Sequence, residues 1–228
     1  MRRYSDRYEA GEDLARILKS RGEDFRDAIV LALPRGGLPV AYPVALALGA
    51  PLDVFIVRKL GVPGHEELAM GAIASGGVRV VNRDVVDQLG IPQRAIEAVA
   101  QREIIELQRR ERDYRGNRPP LDVKGKKVIV IDDGLATGST MRAAAAALRQ
   151  EGASKVIVAV PVAARETCDD FREEVDEIIC AMTPEPFRAV GLWYENFDQT
   201  TDDEVRDLLQ RAEARTPNTQ HSALSTQH

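Results

Sequence analysis

Cysteine is scarce in this chain: Cys168 and Cys180 are the two among 228 residues. Two are too few for a disulfide framework, and their separation fits no metal-ligand spacing. Both are therefore expected as reduced thiols of a cytoplasmic protein. Long hydrophobic runs are also missing, since no stretch approaches the roughly 18 apolar residues that a membrane helix needs. The opening MRRYSDRYEAGEDLARIL starts basic but turns acidic before any apolar stretch, unlike a signal peptide. There is no excess of positive charge. With 36 acidic and 31 basic residues the formal net charge is −5, which argues against nucleic acid held over a broad basic face. A modest arginine cluster (Arg109, Arg110, Arg112, Arg115, Arg118) is interspersed with acids. Neither GxGxxG nor GxxxxGK(S/T) occurs, which removes the usual dinucleotide and P-loop readings.

What the chain does have is 44% apolar residues, enough for the core of one α/β domain. Short apolar runs at 28–33, 52–58, 126–132, 155–162 and 177–182 read as buried strands. Between them lie helical patterns. One surrounds Ala15, Ile17 and Leu18, and another covers 38–48 before Gly49. A third covers 83–89, with Asn82 as N-cap and Gly90 as stop. Others run from Pro92 to about Asp113, over 139–150 and over 201–215. Alternating strands and helices predict an open, doubly wound, mostly parallel sheet. The segment 59–68, with glycines at 61 and 64 around Pro63, reads as a mobile loop in which His65, Glu66 and Glu67 are solvated charges. The next stretch, 70–82, turns at Ser75-Gly76-Gly77 and reads as a hairpin. One domain is expected over 1–215, with a core at about 28–182, a small hood at about 183–200 and a C-terminal helix. The polar tail 216–228 is expected to be disordered.

Chemistry concentrates in VIVIDDGLATGST, residues 128–140. In an open parallel sheet ligands bind at the carboxyl ends of strands, so Asp132 and Asp133 fall on that rim. The loop from Ala136 to Thr140 leads into a helix. Its backbone N–H groups form an anion nest, and Thr137, Ser139 and Thr140 add hydroxyls. Gly138 is expected to let the backbone approach a phosphate closely. Carboxylates accept hydrogen bonds from a vicinal diol. A diol beside a phosphate describes a ribose 5-phosphate.

These residues resemble the phosphoribosyl-pyrophosphate (PRPP) motif of type I phosphoribosyltransferases. The resemblance covers about residues 28–195 and extends more closely to a bacterial group of phosphoribosyltransferase-like proteins whose substrate it does not imply. It implies that Asp132 and Asp133 hold the ribose hydroxyls and that Ala136, Thr137, Gly138, Ser139 and Thr140 bind the 5-phosphate. Pro34-Arg35-Gly36-Gly37 falls where the family has its pyrophosphate loop, and Arg58-Lys59 where it places basic residues beside a closing loop. The implied reaction is displacement of pyrophosphate from PRPP by an acceptor nitrogen. Mg²⁺ would be held mainly by PRPP and water rather than by direct protein ligands. Asp132, Asp133, Arg35 and Lys59 are the implied catalytic group.

Trp193 and Tyr194, in the candidate hood 186–199, are residues that could stack on a planar acceptor, with packing of the hood on the core as the equal alternative. Gly134 stands where many members have an apolar residue, which predicts a freer backbone there. Ala136 replaces the base-contacting aspartate of 6-oxopurine members. The partners implied are PRPP and a small acceptor, with room for a homodimer. A PRPP- or nucleotide-sensing regulator and a hydrolase of the same fold are the competing readings.

Overall fold

The structure, a computed structural model, describes residues 3–25 and 27–215; the tail expected to be disordered lies outside them. The chain runs α1 (Arg7–Ser20), β1 (Ala28–Ala32), α2 (Gly37–Leu48), β2 (Leu52–Val54), β3 (Val57–Val62), β4 (His65–Ala74), β5 (Arg79–Val81), α3 (Arg83–Leu89) and α4 (Gln93–Arg115). It continues with β6 (Lys127–Ile131), α5 (Ser139–Gln150), β7 (Lys155–Val162), α6 (Arg165–Glu174), β8 (Glu177–Met182) and α7 (Asp202–Arg215).

Five strands form a parallel sheet in the order β2-β1-β6-β7-β8. This is the doubly wound arrangement read from the sequence. Its central strands are apolar after the lysines that open β6 and β7, because helices cover both faces. Alternate residues of β6 serve opposite sides. Ile129 and Ile131 join one core with Leu14, Leu38, Val44 and Leu208, drawn from α1, α2 and α7. Val128 and Val130 join the other with Leu148 and Phe171, drawn from α5 and α6. The Asn82 side chain caps α3 by accepting from Val85 N–H, and Gly90 ends it at φ +60°. No helix among the described residues is long and apolar enough to cross a membrane.

Four expectations need correction. The run 52–58 is two strands, since the chain leaves the main sheet at Phe55-Ile56 to begin a second one. Ser75 holds that exit: its hydroxyl oxygen accepts from Ile56 N–H at 3.0 Å, and its N–H donates to Ile56 O at 2.8 Å. The segment 59–68 is not a loop but most of an antiparallel hairpin, β3–β4, which with β5 makes a three-stranded sheet. Gly64 supplies φ +81° at the turn. A Cβ on Gly61 would stand 2.7 Å from Glu66 O, so this glycine answers to cross-strand crowding rather than to hinging. The reading also passed over α6, whose charged surface hides three buried positions, Thr167, Cys168 and Phe171. Finally, Cys168 on α6 and Cys180 on β8 are joined as a disulfide with Cα atoms 6.6 Å apart, rather than standing as two thiols.

Candidate functional site

The strand order turns back on itself at β1, which has β2 on one side and β6 on the other. Loops leaving the carboxyl ends of β1 and β6 diverge there and open a crevice. The first carries Arg35 to Gly37 and the second Asp132 to Gly138. They are in contact. A Cβ on Gly37 would lie 2.6 Å from Ile131 O and 3.0 Å from Asp132 Cα, and one on Gly36 would overlap the Asp133 carboxylate. Only glycine permits this approach. Gly37 N–H is satisfied inside the protein, donating to Leu33 O at 3.1 Å.

Both aspartates are half-buried. Asp132 Oδ1 accepts from the backbone N–H of Asp133 at 2.8 Å. Asp133 Oδ2 accepts from Arg7 Nε at 2.9 Å, with side-chain exposures of 11% for Arg7 and 16% for Asp133. Arg7 also donates to Asp198 O at 2.8 Å and lies 3.9 Å over the Phe197 ring. Burial raises the Asp132 carboxyl well above its ordinary value, and the adjacent Asp133 charge adds to the rise. Burial raises Asp133 as well, opposed by the Arg7 guanidinium. The N-terminal segment reaches this place through Tyr4, whose N–H donates to Trp193 O and whose carbonyl accepts from Glu195 N–H. Neither Arg7 nor Tyr4 figured in the sequence reading. Nothing in their local pattern announces a partner 126 positions away.

The loop after Asp133 is fastened from below and open above. Leu135 N–H donates to Val162 O and Ala164 N–H to Leu135 O. Thr167 Oγ1 donates to Ala136 O at 2.6 Å, and Arg142 donates to Thr137 O. Ala136, Thr137, Ser139 and Thr140 are exposed. Gly138 sits at φ +72°, where an added Cβ would meet Phe171 Cε2 at 2.5 Å and Thr167 Cγ2 at 3.2 Å. The expected reason for this glycine therefore changes. Its missing side chain clears α6 beneath the loop, not the approach of a phosphate from above. Gly134 is likewise packed rather than freer, because its Cβ would stand 2.6 Å from Val190 Cγ1.

Of the remaining candidates, Arg35 borders the crevice, 3.6 Å from Asp202 Oδ1 at the start of α7; Tyr114 donates to that same oxygen at 2.7 Å. Arg58 and Lys59 part company, as neighbours on a strand must. Arg58 turns to α4 and binds Glu103 at 2.6 Å, which removes it from the site. Lys59 faces the other way, exposed, beside a cleft of about 410 Å³ that Ser139 and Thr140 also line. Asp132 and Asp133 do not line this cleft. Trp193 and Tyr194 are 9% and 3% exposed. Tyr194 packs on Tyr4 and Phe197, and its hydroxyl donates to Asp133 O at 2.6 Å. Burial raises that phenol far above its ordinary value. In this arrangement both rings serve as hood packing and Tyr194 as a support for Asp133. Neither offers a face to an acceptor.

A parallel sheet carrying a carboxylate pair and a touching glycine loop at its reversal point defines an open α/β protein with a ligand crevice at the carboxyl ends of its strands. The sequence matches the phosphoribosyl transferase domain family over residues 4–185, and the chain belongs to that family. It is 46% identical over 93% of its length to two Mycobacterium tuberculosis proteins, "Putative phosphoribosyl transferase Rv0571c" and its counterpart MT0597. It spans about half of those relatives, 47% of each. Among solved structures it resembles TT1426 from Thermus thermophilus, with TM-score 0.82 and 40% identity over 92% of this chain and 99% of that one. A hypothetical protein from Neisseria gonorrhoeae with bound ppGpp shares the fold at TM-score 0.50 and 18% identity, over 92% and 94% of the two chains.

Proposed function

We propose that this protein transfers the 5-phosphoribosyl group of PRPP to a nitrogenous, nucleobase-like acceptor and releases pyrophosphate in a Mg²⁺-dependent reaction. The observation that carries this reading is the contact between two loops from distant parts of the chain. Gly36 and Gly37 lie against Asp133 and Asp132, so a diol-binding pair and a pyrophosphate loop share one crevice beside an anion nest. Asp132 and Asp133 accept from the ribose hydroxyls, and the loop from Ala136 to Thr140 takes the 5-phosphate. Arg35 faces the pyrophosphate, whereas Lys59, expected from the resemblance to meet the pyrophosphate too, lies beside Ser139 and Thr140 and is assigned to the phosphate side. As the acceptor nitrogen bonds to C1, pyrophosphate leaves with the electron pair of the broken C–O bond. The carboxylates favour the positive charge that grows on the ring, and Arg35 favours the negative charge that grows on the leaving group.

Among the described residues no cluster of three or more His, Cys, Asp or Glu could enclose a metal. The donor set fits an ion carried mainly by the substrate's phosphates and water. When bound, such an ion neutralises charge on the leaving group.

The regulator reading loses support from its arginines. Arg109 and Arg110 are paired with Glu106 and Asp113, Arg115 with Asp53, and Arg118 with Asp53 and Glu213. The test is pyrophosphate release from PRPP and Mg²⁺ over a panel of heterocyclic bases, with a no-acceptor control for hydrolysis. Release with one or more bases above that control supports the transferase. Release without any base indicates a hydrolase. Salt-dependent, sequence-selective RNA or DNA binding without any release would replace both.

A further inference from the structure

The cleft beside Lys59 extends beyond anything the reaction just described requires. It lies between the β3–β4–β5 sheet and the first two turns or so of α5, from Ser139 to Ala146. Elsewhere in the molecule leucine, isoleucine, valine and phenylalanine fill the space between layers. Here the side chains across the gap are short: Ala69 and Ala72 on β4, with Val57, Val80 and Val81 beside them, face Ala143 and Ala146 on α5. They leave a slot of about 410 Å³, within the range of small-molecule sites.

Its polar groups are mostly donors. The Arg142 guanidinium is already committed, holding Glu174 through Nε at 2.8 Å and donating to Thr137 O. Lys59 is held more loosely. Its ammonium lies 3.4 Å from Glu67 O and 3.7 Å from the Glu67 carboxylate, on a fully exposed side chain that an incoming anion can displace. The Asn82 amide, the hydroxyls of Ser139 and Thr140 and the Arg142-paired Glu174 carboxylate also line the cleft.

We propose that this cleft is an effector site for a mononucleotide-sized ligand, a flat heterocycle bearing one anionic group. The ring lies between the alanine walls, the anion on Lys59, and polar edges meet Asn82 and the two hydroxyls. Because Lys59, Ser139 and Thr140 also belong to the phosphate side of the proposed PRPP site, occupation of the cleft opposes PRPP binding.

The experiment is isothermal titration of the full chain with AMP, UMP and inorganic phosphate, in the wild type, Ala146→Leu, Ala143→Leu and Asp132→Asn. Leucine is as good a helix former as the position requires, and circular dichroism confirms folding. The expected result is nucleotide binding that Asp132→Asn leaves intact and that each leucine weakens at least about tenfold, with phosphate alone binding much more weakly. Nucleotide binding lost in Asp132→Asn and unchanged in both leucine variants would place it at the aspartate pair and overturn the proposal, as would no nucleotide binding at all. PRPP–Mg²⁺ titrated into the same variants reports on the transferase reading separately. Failure of PRPP to bind beside a nucleotide that obeys the leucine variants would sink that reading and leave the cleft standing.

Discussion

Gly138→Ala isolates the connection between α6 and the anion loop. Two costs are expected, and both follow from the geometry. At φ +72° an alanine loses about 1–2 kcal/mol to a left-handed backbone. Its Cβ must also displace Phe171 Cε2 from 2.5 Å, and overpacking of this kind costs about 1–3 kcal/mol. The sum is about 2–5 kcal/mol, large against the usual stability of a domain. Chemical denaturation of Gly138→Ala, Phe171→Leu and the double variant separates the two costs. The smaller leucine relieves the crowding but not the backbone. Gly138→Ala should therefore cost at least about 1 kcal/mol less in the Phe171→Leu background. PRPP affinity should fall in Gly138→Ala and recover in part in the double variant, because the amides of the loop shift with it. Equal costs in both backgrounds would show that Phe171 is not what the glycine makes room for. A total below about 1 kcal/mol would refute both parts.

Asp132 and Asp133 are raised above their unfolded values, so the free protein gains stability as pH falls through the raised values toward about 3.9 and loses it as pH rises. Asp132→Asn should flatten that dependence, raise the melting temperature at pH 8 and abolish PRPP binding; a lower melting temperature there would contradict the assignment. Arg7→Gln removes a charge-assisted bond worth about 1.5–3 kcal/mol and leaves Asp133 harder to ionise. The pH at which PRPP binds best should move upward, and an unmoved profile would dismiss Arg7 as a positioning residue. Arg58→Gln should cost about 1 kcal/mol of stability without touching PRPP affinity, whereas Lys59→Gln should do the reverse. Glu151 is raised to about 7 by burial and by Glu111, so its contribution is complete below about 4.5 and lost as pH rises through 7. Glu151→Gln should stabilise at pH 8 but not at pH 4.5, by on the order of 1 kcal/mol after discounting for partial exposure; calorimetric melts at the two pH values decide it.

The main sheet was legible because its strands are short apolar runs separated by helices with sharp stops, as at Gly49 after α2. The carboxylate pair was legible because adjacent acids at a strand end have few structural reasons to exist. The hairpin at 57–74 was not, since His65 to Leu68 are exposed and give no alternation to read. Helix α6 was hidden for a similar reason, with three buried positions among seven charged or exposed ones. Arg7 belongs to another class. Its charge and position are plain in the sequence, but its partners Asp133 and Asp198 are set by tertiary folding alone. The roles of Trp193 and Tyr194 turned on burial, which a hood of mixed composition does not reveal. The neighbours Arg58 and Lys59 show the limit of motif reading: strand geometry sends adjacent side chains to opposite faces, and only one can serve a given site.

The lacing of Arg7 between Asp133 and Asp198 orders events in time. On the ribosome Arg7 emerges early and Asp198 some 191 positions later. At about 5–20 residues per second, that is an interval of about 10–40 s. During it the two sheets and most helices can form, while Arg7 waits for Asp198 and Tyr4 for the hood. The hood side of the crevice is thus completed late, by the joining of segments 191 positions apart, and Arg7 gains its second anchor only after Asp198 has been made.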